Sequence, residues 1–315
     1  MKNVSRLIRW PNILMIALTM YAMRYAVLLP IFGKINISPV VTHIDFFILV
    51  ITMMAITAGG YVINDYFDTR ADMINRPAKV LVGKHIDRRK VIMLHWMLNI
   101  IAVVAGGYVT YSIGKPYLVI LFIVEITVLW FYSSYFKQKL FIGNLLVAIL
   151  TGSVPFLVWM VDMWAIYPEK SFISWFVTKP SHYLYYWIFV YTFFAFALTL
   201  IREIIKDAED VKGDIEFGRK TIPIVFGMKK TKALVVTLTS LVLVMLAFLF
   251  NKATFEGYFS PIYLLVLLIL PIIYLINSVL KAKERSDFSK SSLLSKVIML
   301  FGVLYSFVFY YYTVL

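Results

Sequence analysis

Residues 44–63 read IDFFILVITMMAITAGGYVI, and residues 64–72 read NDYFDTRAD. The first stretch holds a single charged residue and has the length of about 20 apolar residues that a helix needs to cross a bilayer. The second stretch places an amide and three carboxylates directly at the end of that run. We therefore expect a membrane-spanning helix that continues into a charged segment.

The composition extends this expectation to the whole chain. Of the 315 residues, 61% are hydrophobic and the mean hydropathy is +0.83, whereas a soluble domain of this size needs a far more polar surface. No small-residue cleavage site follows the first apolar run, which we interpret as a retained span. We predict an all-α, polytopic membrane bundle in one transmembrane domain, residues 1–315. The nine predicted spans lie near residues 11–33, 44–64, 91–112, 115–135, 141–163, 183–205, 231–250, 259–280 and 293–314.

The basic residues indicate an orientation. When charges at span ends are counted with the adjoining segments, alternate segments beginning at the N-terminus hold 25 Lys and Arg, and the other segments hold five. Because cytoplasmic loops carry the excess of positive charge, we predict a cytoplasmic N-terminus and an external C-terminus. The predicted location is an integral, multi-pass position in a membrane, the plasma membrane if the source is a prokaryote.

The net charge of +14 and the absence of cysteine limit the remaining functions. No basic domain stands apart from the spans, so we expect no nucleic-acid partner, and the surplus charge fits anionic lipid headgroups. Without cysteine the chain has no disulfides, no thiolate catalysis and no cysteine metal site. The sequence implies no protein partner.

Two segments on the predicted cytoplasmic side carry most of the acidic residues. Ten of the 17 Asp and Glu follow span two or span six, and the same segments hold the largest basic counts. The segments lie four spans apart, which predicts a duplicated four-helix unit over about 11–135 and 141–280. The two segments share spacing more than sequence, so the duplication depends on spacing alone.

The spacing in both segments predicts acidic stripes on one helix face. Positions at i, i+3, i+4 and i+7 share a face, and carboxylates at that spacing repel one another unless a cation lies between them. Two facing stripes would hold Mg²⁺, which takes oxygen ligands and is usually bound by one or two carboxylates together with substrate phosphates. The predicted metal ligands are Asn64, Asp68, Asp72, Asp207, Asp210 and Asp214.

The alternative is two solvated helix ends decorated with salt bridges, as runs of mixed charge usually are. Arg70, Arg76, Lys206 and Lys212 would then supply the partners. We favour the metal site because the twin stripes are isolated in an otherwise apolar chain, where charge is costly.

These motifs resemble those of the UbiA family of membrane prenyltransferases. NDYFDTRAD matches the family signature NDxxDxxxD, and DAEDVKGDIEFGRKTIPIVFG (207–227) resembles the second aspartate motif. Three further pieces agree in order, namely RWPN (9–12), NRPAKVLVGKHI (75–86) and YSSYFKQKLFIGNLLVA (132–148). One departure is Lys79-Val80, where the family more often has Arg-Pro.

The resemblance implies nine helices around a central cavity with cytoplasmic helical caps. It also implies an enzyme that uses Mg²⁺ to transfer a prenyl group from a prenyl diphosphate to a lipophilic acceptor. Carried over by position, the catalytic residues are Asp68, Asp72, Asp210 and Asp214. The candidates for binding the diphosphate are Arg76, Lys137, Arg202 and Lys206.

The resemblance narrows the acceptor only in part. Residues 202–223 most resemble the branch that makes digeranylgeranylglyceryl phosphate, in which a geranylgeranyl group goes to the hydroxyl of a prenylglyceryl phosphate and gives an ether lipid. Other branches share the aspartate motifs and alkylate aromatic quinone precursors. The candidate acceptor contacts are Asn12, Arg24 and Glu125, with Lys84 and Arg88 as alternatives for a phosphate on the acceptor.

Two alternatives stay open at this point. Ionisable groups at membrane depth usually face the bundle interior and pair, so a structural Arg24–Glu125 pair competes with an acceptor contact. For the site as a whole, the rivals are a non-catalytic, ion-coupled carrier and a structural membrane protein. Transporters place ion ligands near the midplane, whereas these carboxylates lie at helix ends, which favours the enzyme.

Overall fold

The computed structural model describes residues 2–166, 182–253 and 258–314. Within these ranges nine helices are long and apolar enough to cross a membrane, as predicted. No strand forms there apart from an isolated bridge between Val82 and Ile86. A helical bundle satisfies the backbone N–H and C=O groups within each segment, which lipid requires.

A short helix α1 (Lys2–Leu7) precedes the nine long ones. Several of the long helices extend beyond the predicted spans by two turns or more, most clearly the second and the sixth. The nine are α2 (Trp10–Lys34), α3 (His43–Asn75), α4 (Arg88–Ser112), α5 (Pro116–Ser134), α6 (Ile142–Ile166), α7 (His182–Glu216), α8 (Ile222–Ala253), α9 (Phe259–Lys281) and α10 (Arg285–Val314).

The acidic segments are helical because nothing breaks the helix before they end. Arg76 leaves the helical conformation, with φ −145° and ψ 58°, because the following Pro77 disfavours it there. Past the end of α7, Gly218 takes a left-handed φ of 62°, which glycine adopts without strain. Both stripes therefore lie on the last turns of long membrane helices.

The first turn of α3 explains its one early charge. Thr42 Oγ1 accepts from the backbone N–H of Asp45 at 3.1 Å, and the Asp45 carboxylate accepts from the Thr42 N–H at 3.4 Å. This reciprocal capping box satisfies donors that a helix start leaves unpaired. Asp45 is therefore explained by the start of α3.

The packing of α3 and α7 places the two acidic segments together. α3 packs against α4 and α5, α7 packs against α6, α8 and α10, and α3 and α7 contact each other. At the acidic end of α3, the 3₁₀ turn Phe136–Gln138 brings Lys137 to Asp68, α1 also contacts α3, and residues 76–87 fold in turns. Large apolar side chains such as Met93, Val104 and Phe248 stay exposed, as lipid-facing residues do.

Candidate active site

Asn75 joins the two acidic helix ends. Its Nδ2 donates to the backbone carbonyl of Asp210 at 3.1 Å, and the N–H of Gly213 donates to its Oδ1 at 2.9 Å. A Cβ at position 213 would lie 2.4 Å from Asn75 Nδ2, so only glycine allows this approach. The two stripes are thus held opposite each other.

Asp68 is the most enclosed residue of the first stripe, with 4% of its surface exposed. Arg219 donates to Asp68 Oδ1 at 2.6 Å, and Lys137 donates to Asp68 Oδ2. Lys137, on the 3₁₀ turn after α5, also donates to Asn64 Oδ1 at 3.1 Å. Two cations from separate parts of the chain therefore meet at one carboxylate.

Two arginines link the second stripe to its surroundings. Arg219 donates to Asp214 Oδ1 at 3.1 Å and thereby bridges the two stripes. Arg76 donates to Asp210 Oδ2 at 2.7 Å and lies 3.2 Å from Glu209.

The second stripe keeps one buried oxygen without a donor among the described residues. Asp207 Oδ2 accepts from Asn144 Nδ2 at 2.8 Å. Asp210 Oδ1 is buried and accepts no hydrogen bond from the described residues, and the guanidinium of Arg285 lies 3.7 Å from it. A buried, unsatisfied carboxylate oxygen is costly, and a bound cation would remove that cost.

The cations around the stripes are held in their charged forms. Burial disfavours the ammonium of Lys137, but the Asp68 carboxylate outweighs it and raises the pKa of Lys137 above its ordinary value. The pKa of Arg219 and the pKa of Arg76 are raised in the same way, against burial, by Asp68 and by Asp210 respectively. All three therefore carry positive charge at any physiological pH.

We call the space between the stripes the aspartate pocket. Its wall holds six carboxylates against three cations, a formal excess of three negative charges. No three Asp, Glu or His side chains in the described residues are gathered closely enough to hold an ion alone. The carboxylates on this wall still fit Mg²⁺, because Mg²⁺ needs only one or two carboxylates besides substrate phosphates. The charged members are Asp68, Asp72, Glu203, Asp207, Asp210, Asp214, Lys137, Lys206 and Arg219.

A larger cavity of about 580 Å³ adjoins the aspartate pocket. Asp68, Asp72 and Asp210 line both, so the pocket opens into the cavity. Eight of the nine long helices contribute to the wall, which is mainly apolar away from the aspartates. This is the predicted central cavity. Its aromatic lining is Tyr61, Tyr132, Trp187, Tyr191, Phe194 and Tyr305.

Comparison with known proteins identifies the family. The sequence matches the UbiA prenyltransferase family over residues 13–297. The chain belongs to this family. It is therefore an intramembrane prenyltransferase with several membrane spans, and the carrier and purely structural alternatives no longer apply.

Individual relatives of this UbiA prenyltransferase agree in fold and in sequence. A digeranylgeranylglyceryl phosphate synthase of Methanosphaera stadtmanae is 30% identical over 80% of this chain and 81% of its own length. One from Thermococcus gammatolerans is 31% identical over 81% and 83%. The apo structure of a UbiA homolog from Aeropyrum pernix K1 superposes with a TM-score of 0.63 at 15% identity, covering 92% of this chain and 97% of the other.

The structure brings together the residues predicted to bind metal and diphosphate. All six predicted metal ligands line the aspartate pocket or the adjoining cavity, as do the four predicted diphosphate residues. Of the partners that the salt-bridge alternative requires, Arg76 and Lys206 form ion pairs with acidic residues. The charge balance of the aspartate pocket given above already includes Lys206. Arg76 also lies beside Glu209, a further carboxylate outside the pocket wall, so counting these two together leaves the same excess in this UbiA prenyltransferase.

Only two of the three residues predicted to contact the acceptor lie at the larger cavity. Asn12 and Glu125 line the larger cavity. Arg24 does not, and its predicted alternative pair with Glu125 is wrong. Arg24 lies 3.3 Å from Asp162, with both side chains almost fully buried, and it donates to the backbone carbonyl of Val41. It sits in a π-helical segment of α2, Ala22–Leu28, which packs against α6.

The two loop residues suggested for an acceptor phosphate also lie elsewhere. Lys84 donates to the carbonyl of Pro77 at 3.2 Å, and the Arg88 guanidinium stacks 4.5 Å from the ring of Tyr66. Neither lines the larger cavity.

Sequence reasoning missed four polar residues of this UbiA prenyltransferase. Arg219 and Asn144 lie inside motifs that carried the family resemblance, so their position in a motif was the available signal. Glu203 belongs to the second acidic segment, one turn before Asp207. Lys296 is a lone lysine among apolar residues of α10, and its contacts appear only in the fold.

Proposed function

We propose that this UbiA prenyltransferase transfers a geranylgeranyl group from its diphosphate to the free hydroxyl of geranylgeranylglyceryl phosphate, forming an ether lipid. The observation that carries the proposal is an aspartate pocket with excess negative charge that opens into a mainly apolar cavity of about 580 Å³. The pocket suits a metal-bound diphosphate and the cavity suits prenyl chains. Relatives named digeranylgeranylglyceryl phosphate synthase, 30% identical over most of the chain, support this acceptor.

In this proposal the pocket binds Mg²⁺ through the six residues Asn64, Asp68, Asp72, Asp207, Asp210 and Asp214. A UbiA homolog from Archaeoglobus fulgidus, bound to GPP and Mg²⁺, has the same fold with a TM-score of 0.52, which supports the use of Mg²⁺. When bound, Mg²⁺ would neutralise diphosphate oxygens and ease departure of the diphosphate.

The cations of the chain stabilise the leaving group. Negative charge grows on the diphosphate as its bond to the allylic carbon breaks, so fixed cations bind the transition state better than the ground state. Lys137, Arg76, Lys206 and Arg219 are placed for this role beside the stripes. The pKa of Lys137 is raised by the Asp68 carboxylate against the effect of burial, so Lys137 stays positively charged over the physiological pH range.

The cavity directs the allylic carbon to its acceptor. Its apolar wall excludes water, which would otherwise hydrolyse the donor. The acceptor hydroxyl oxygen forms a bond to the allylic carbon while the carbon–oxygen bond to the diphosphate breaks. The hydroxyl proton passes to the departing diphosphate, so the products are the ether lipid and protonated diphosphate.

The test is an assay of the purified protein with radiolabelled geranylgeranyl diphosphate, Mg²⁺ and geranylgeranylglyceryl phosphate, with hydroxybenzoate and naphthoate acceptors in parallel. We expect a doubly prenylated phospholipid that disappears with EDTA and returns with added Mg²⁺. Product from an aromatic acceptor alone would retain the metal site and overturn the ether-lipid assignment. Product that persists in EDTA would overturn the role of the metal.

We also infer that the aspartate pocket faces the cytoplasm, because alternate segments between the predicted spans, beginning at the N-terminus, hold 25 Lys and Arg and the other segments hold five. The chain has no cysteine, so single cysteines report orientation without background. Ser286→Cys lies at the start of α10, at the pocket end, and Ser112→Cys lies at the far end of α4. A membrane-impermeant maleimide should label Ser112→Cys in intact cells and Ser286→Cys only after lysis. The reverse pattern would invert the orientation.

A further inference from the structure

Lys296 is a cation in the larger cavity that forms no ion pair with the acidic residues that the structure describes. It lies three turns into α10, and its Nζ donates to Asn12 Oδ1 at 3.0 Å. Asn12 Nδ2 in turn donates to the hydroxyl of Tyr61 at 3.0 Å. No carboxylate of the described residues lies within 4.0 Å of Lys296. Within the described ranges this half-buried ammonium donates to a single amide oxygen, which leaves N–H groups for another acceptor.

Further cations surround Lys296. Arg202, Lys206 and Arg9 line the same cavity wall as Lys296, together with the carboxylate of Glu203. The Arg9 guanidinium lies 4.8 Å from the Tyr61 ring, so it joins the same polar chain as Asn12. We call these residues the Lys296 cluster, which consists of Arg9, Asn12, Tyr61, Arg202, Lys206 and Lys296, all on the wall of the larger cavity.

The charge of the Lys296 cluster is opposite to that of the aspartate pocket. Asp65 neutralises Arg9 across 2.6 Å, and Glu203 is shared between Arg202 and Lys206, at 2.8 Å and 2.9 Å. Four cations against these two carboxylates leave a formal excess of two positive charges. The Nε of Arg202 is buried and has no acceptor in the described part of the chain. An anion of charge near −2 would neutralise the excess positive charge and could accept from the Arg202 Nε.

The cluster lies beside the aspartate pocket and not inside it. Lys296, Arg9 and Arg202 line the larger cavity alone, whereas Lys206 lines both spaces. Arg202, Lys206 and Asp210 are spaced by four residues, so they follow one face of α7 over about 12 Å. A group bound at Arg202 would therefore lie next to a diphosphate at Asp210 without occupying its place.

We propose that Lys296, with Arg9 and Arg202, binds the phosphate monoester of the acceptor. The inference rests on the proposed function, because only a glyceryl phosphate acceptor brings a second phosphate into the cavity. A phosphate monoester carries close to two negative charges at pH 7 and three strong acceptor oxygens, which matches the cluster. Arg202, predicted from the sequence to contact the donor diphosphate, is thereby reassigned to the acceptor. Fixing the phosphate there would hold the nearby glycerol hydroxyl toward the aspartate pocket.

The test compares two acceptors that differ only in the phosphate, namely geranylgeranylglyceryl phosphate and geranylgeranylglycerol, with the full-length enzyme. We expect Lys296→Met to raise KM for the phosphorylated acceptor at least tenfold, with KM for geranylgeranyl diphosphate within twofold. Turnover of geranylgeranylglycerol should change little. Lys296→Arg should recover most of the loss. Lys290→Met, an exposed lysine on the same helix, is the matched control and should behave as wild type.

An experiment on the wild type keeps the proposal testable if a variant fails to fold. Glycerol 1-phosphate should inhibit competitively against the phosphorylated acceptor and not against the donor. Competition with the donor, or an equal loss with both acceptors in Lys296→Met, would overturn the phosphate site and leave the proposed function standing. A wild type that prenylates neither glyceryl acceptor but does prenylate an aromatic one would overturn the proposed function itself, and the phosphate site with it.

Discussion

The aspartate pocket and the Arg24–Asp162 pair are two sets of buried charges in one membrane bundle, and they differ in balance. The pair matches one cation with one carboxylate, both almost fully buried, and does not line the cavity. The aspartate pocket holds six carboxylates against three cations and opens into the cavity. Burial of charge alone therefore does not mark a functional site. Unbalanced charge beside an accessible space does, because a ligand can supply the missing charge.

The first test of this comparison removes a carboxylate from the aspartate pocket. Asp68→Ala and Asp210→Ala should each lower kcat at least about 1,000-fold, because each removes a proposed metal ligand and a partner of the cations that hold the diphosphate. The protein should stay folded, since the excess of negative charge falls. Product formation and heat unfolding in detergent measure the two effects.

Asp87→Ala is the matched control for these variants, because Asp87 is exposed and remote from both cavities. It should retain wild-type turnover. If Asp68→Ala kept more than a tenth of the wild-type rate, the pocket would not be the catalytic centre.

The second test removes a carboxylate from the balanced pair. Asp162→Ala leaves the Arg24 guanidinium buried and uncompensated, which should destabilise the fold by about 3–5 kcal/mol. The midpoint of heat unfolding should fall by roughly 10 °C. The rate per folded molecule should stay within twofold of wild type. A specific loss of activity in fully folded protein would instead place this pair in the catalytic machinery.

The spans and the acidic stripes were predictable because both depend on local sequence. Apolar length determines a membrane helix, and a spacing of four residues places Asn64, Asp68 and Asp72 on one face. The continuation of both helices into the acidic segments was predicted as well, whereas the residues at which they end, just before Pro77 and Gly218, were not. The predicted four-helix duplication stays a prediction.

Contacts between distant parts of the chain were not predictable. Hydropathy indicates the depth of Arg24 but not the rotation of α2, which decides whether Arg24 meets Asp162 or Glu125. Lys296 falls near the start of a predicted span, where a lysine is usually an interfacial anchor. Its contact with Asn12 joins residues 284 positions apart.

The third test concerns how the two halves of the pocket are held. Asn75→Ala removes the two hydrogen bonds of the Asn75 side chain with α7, and Gly213→Ala inserts a methyl group 2.4 Å from Asn75 Nδ2. Each should cost about 1–3 kcal/mol of stability. Each should also raise KM for the prenyl diphosphate several-fold, because the stripes no longer face each other at the same separation.

Gly33→Ala is the matched control for the glycine substitution. A Cβ at position 33 meets no atom within 4 Å, and the residue lies in helix α2. Alanine there should leave KM unchanged and stability equal or slightly higher. A similar rise in KM for Gly33→Ala and Gly213→Ala would show that helix packing in general, and not the Asn75 contact, governs donor binding.

The smallest effect should come from a pair that is balanced but exposed. Lys90 and Asp87 lie 3.3 Å apart, and about three-quarters of each side chain is open to solvent. Because water screens both charges, Lys90→Ala should change the free energy of unfolding by less than about 0.5 kcal/mol and leave turnover unchanged. Heat unfolding in low and high salt measures this directly. A loss of stability comparable to that of Asp162→Ala would mean that pairing, and not burial, determines the cost of removing a charge. The aspartate pocket and the Arg24–Asp162 pair would then differ only in that the pocket opens into the cavity.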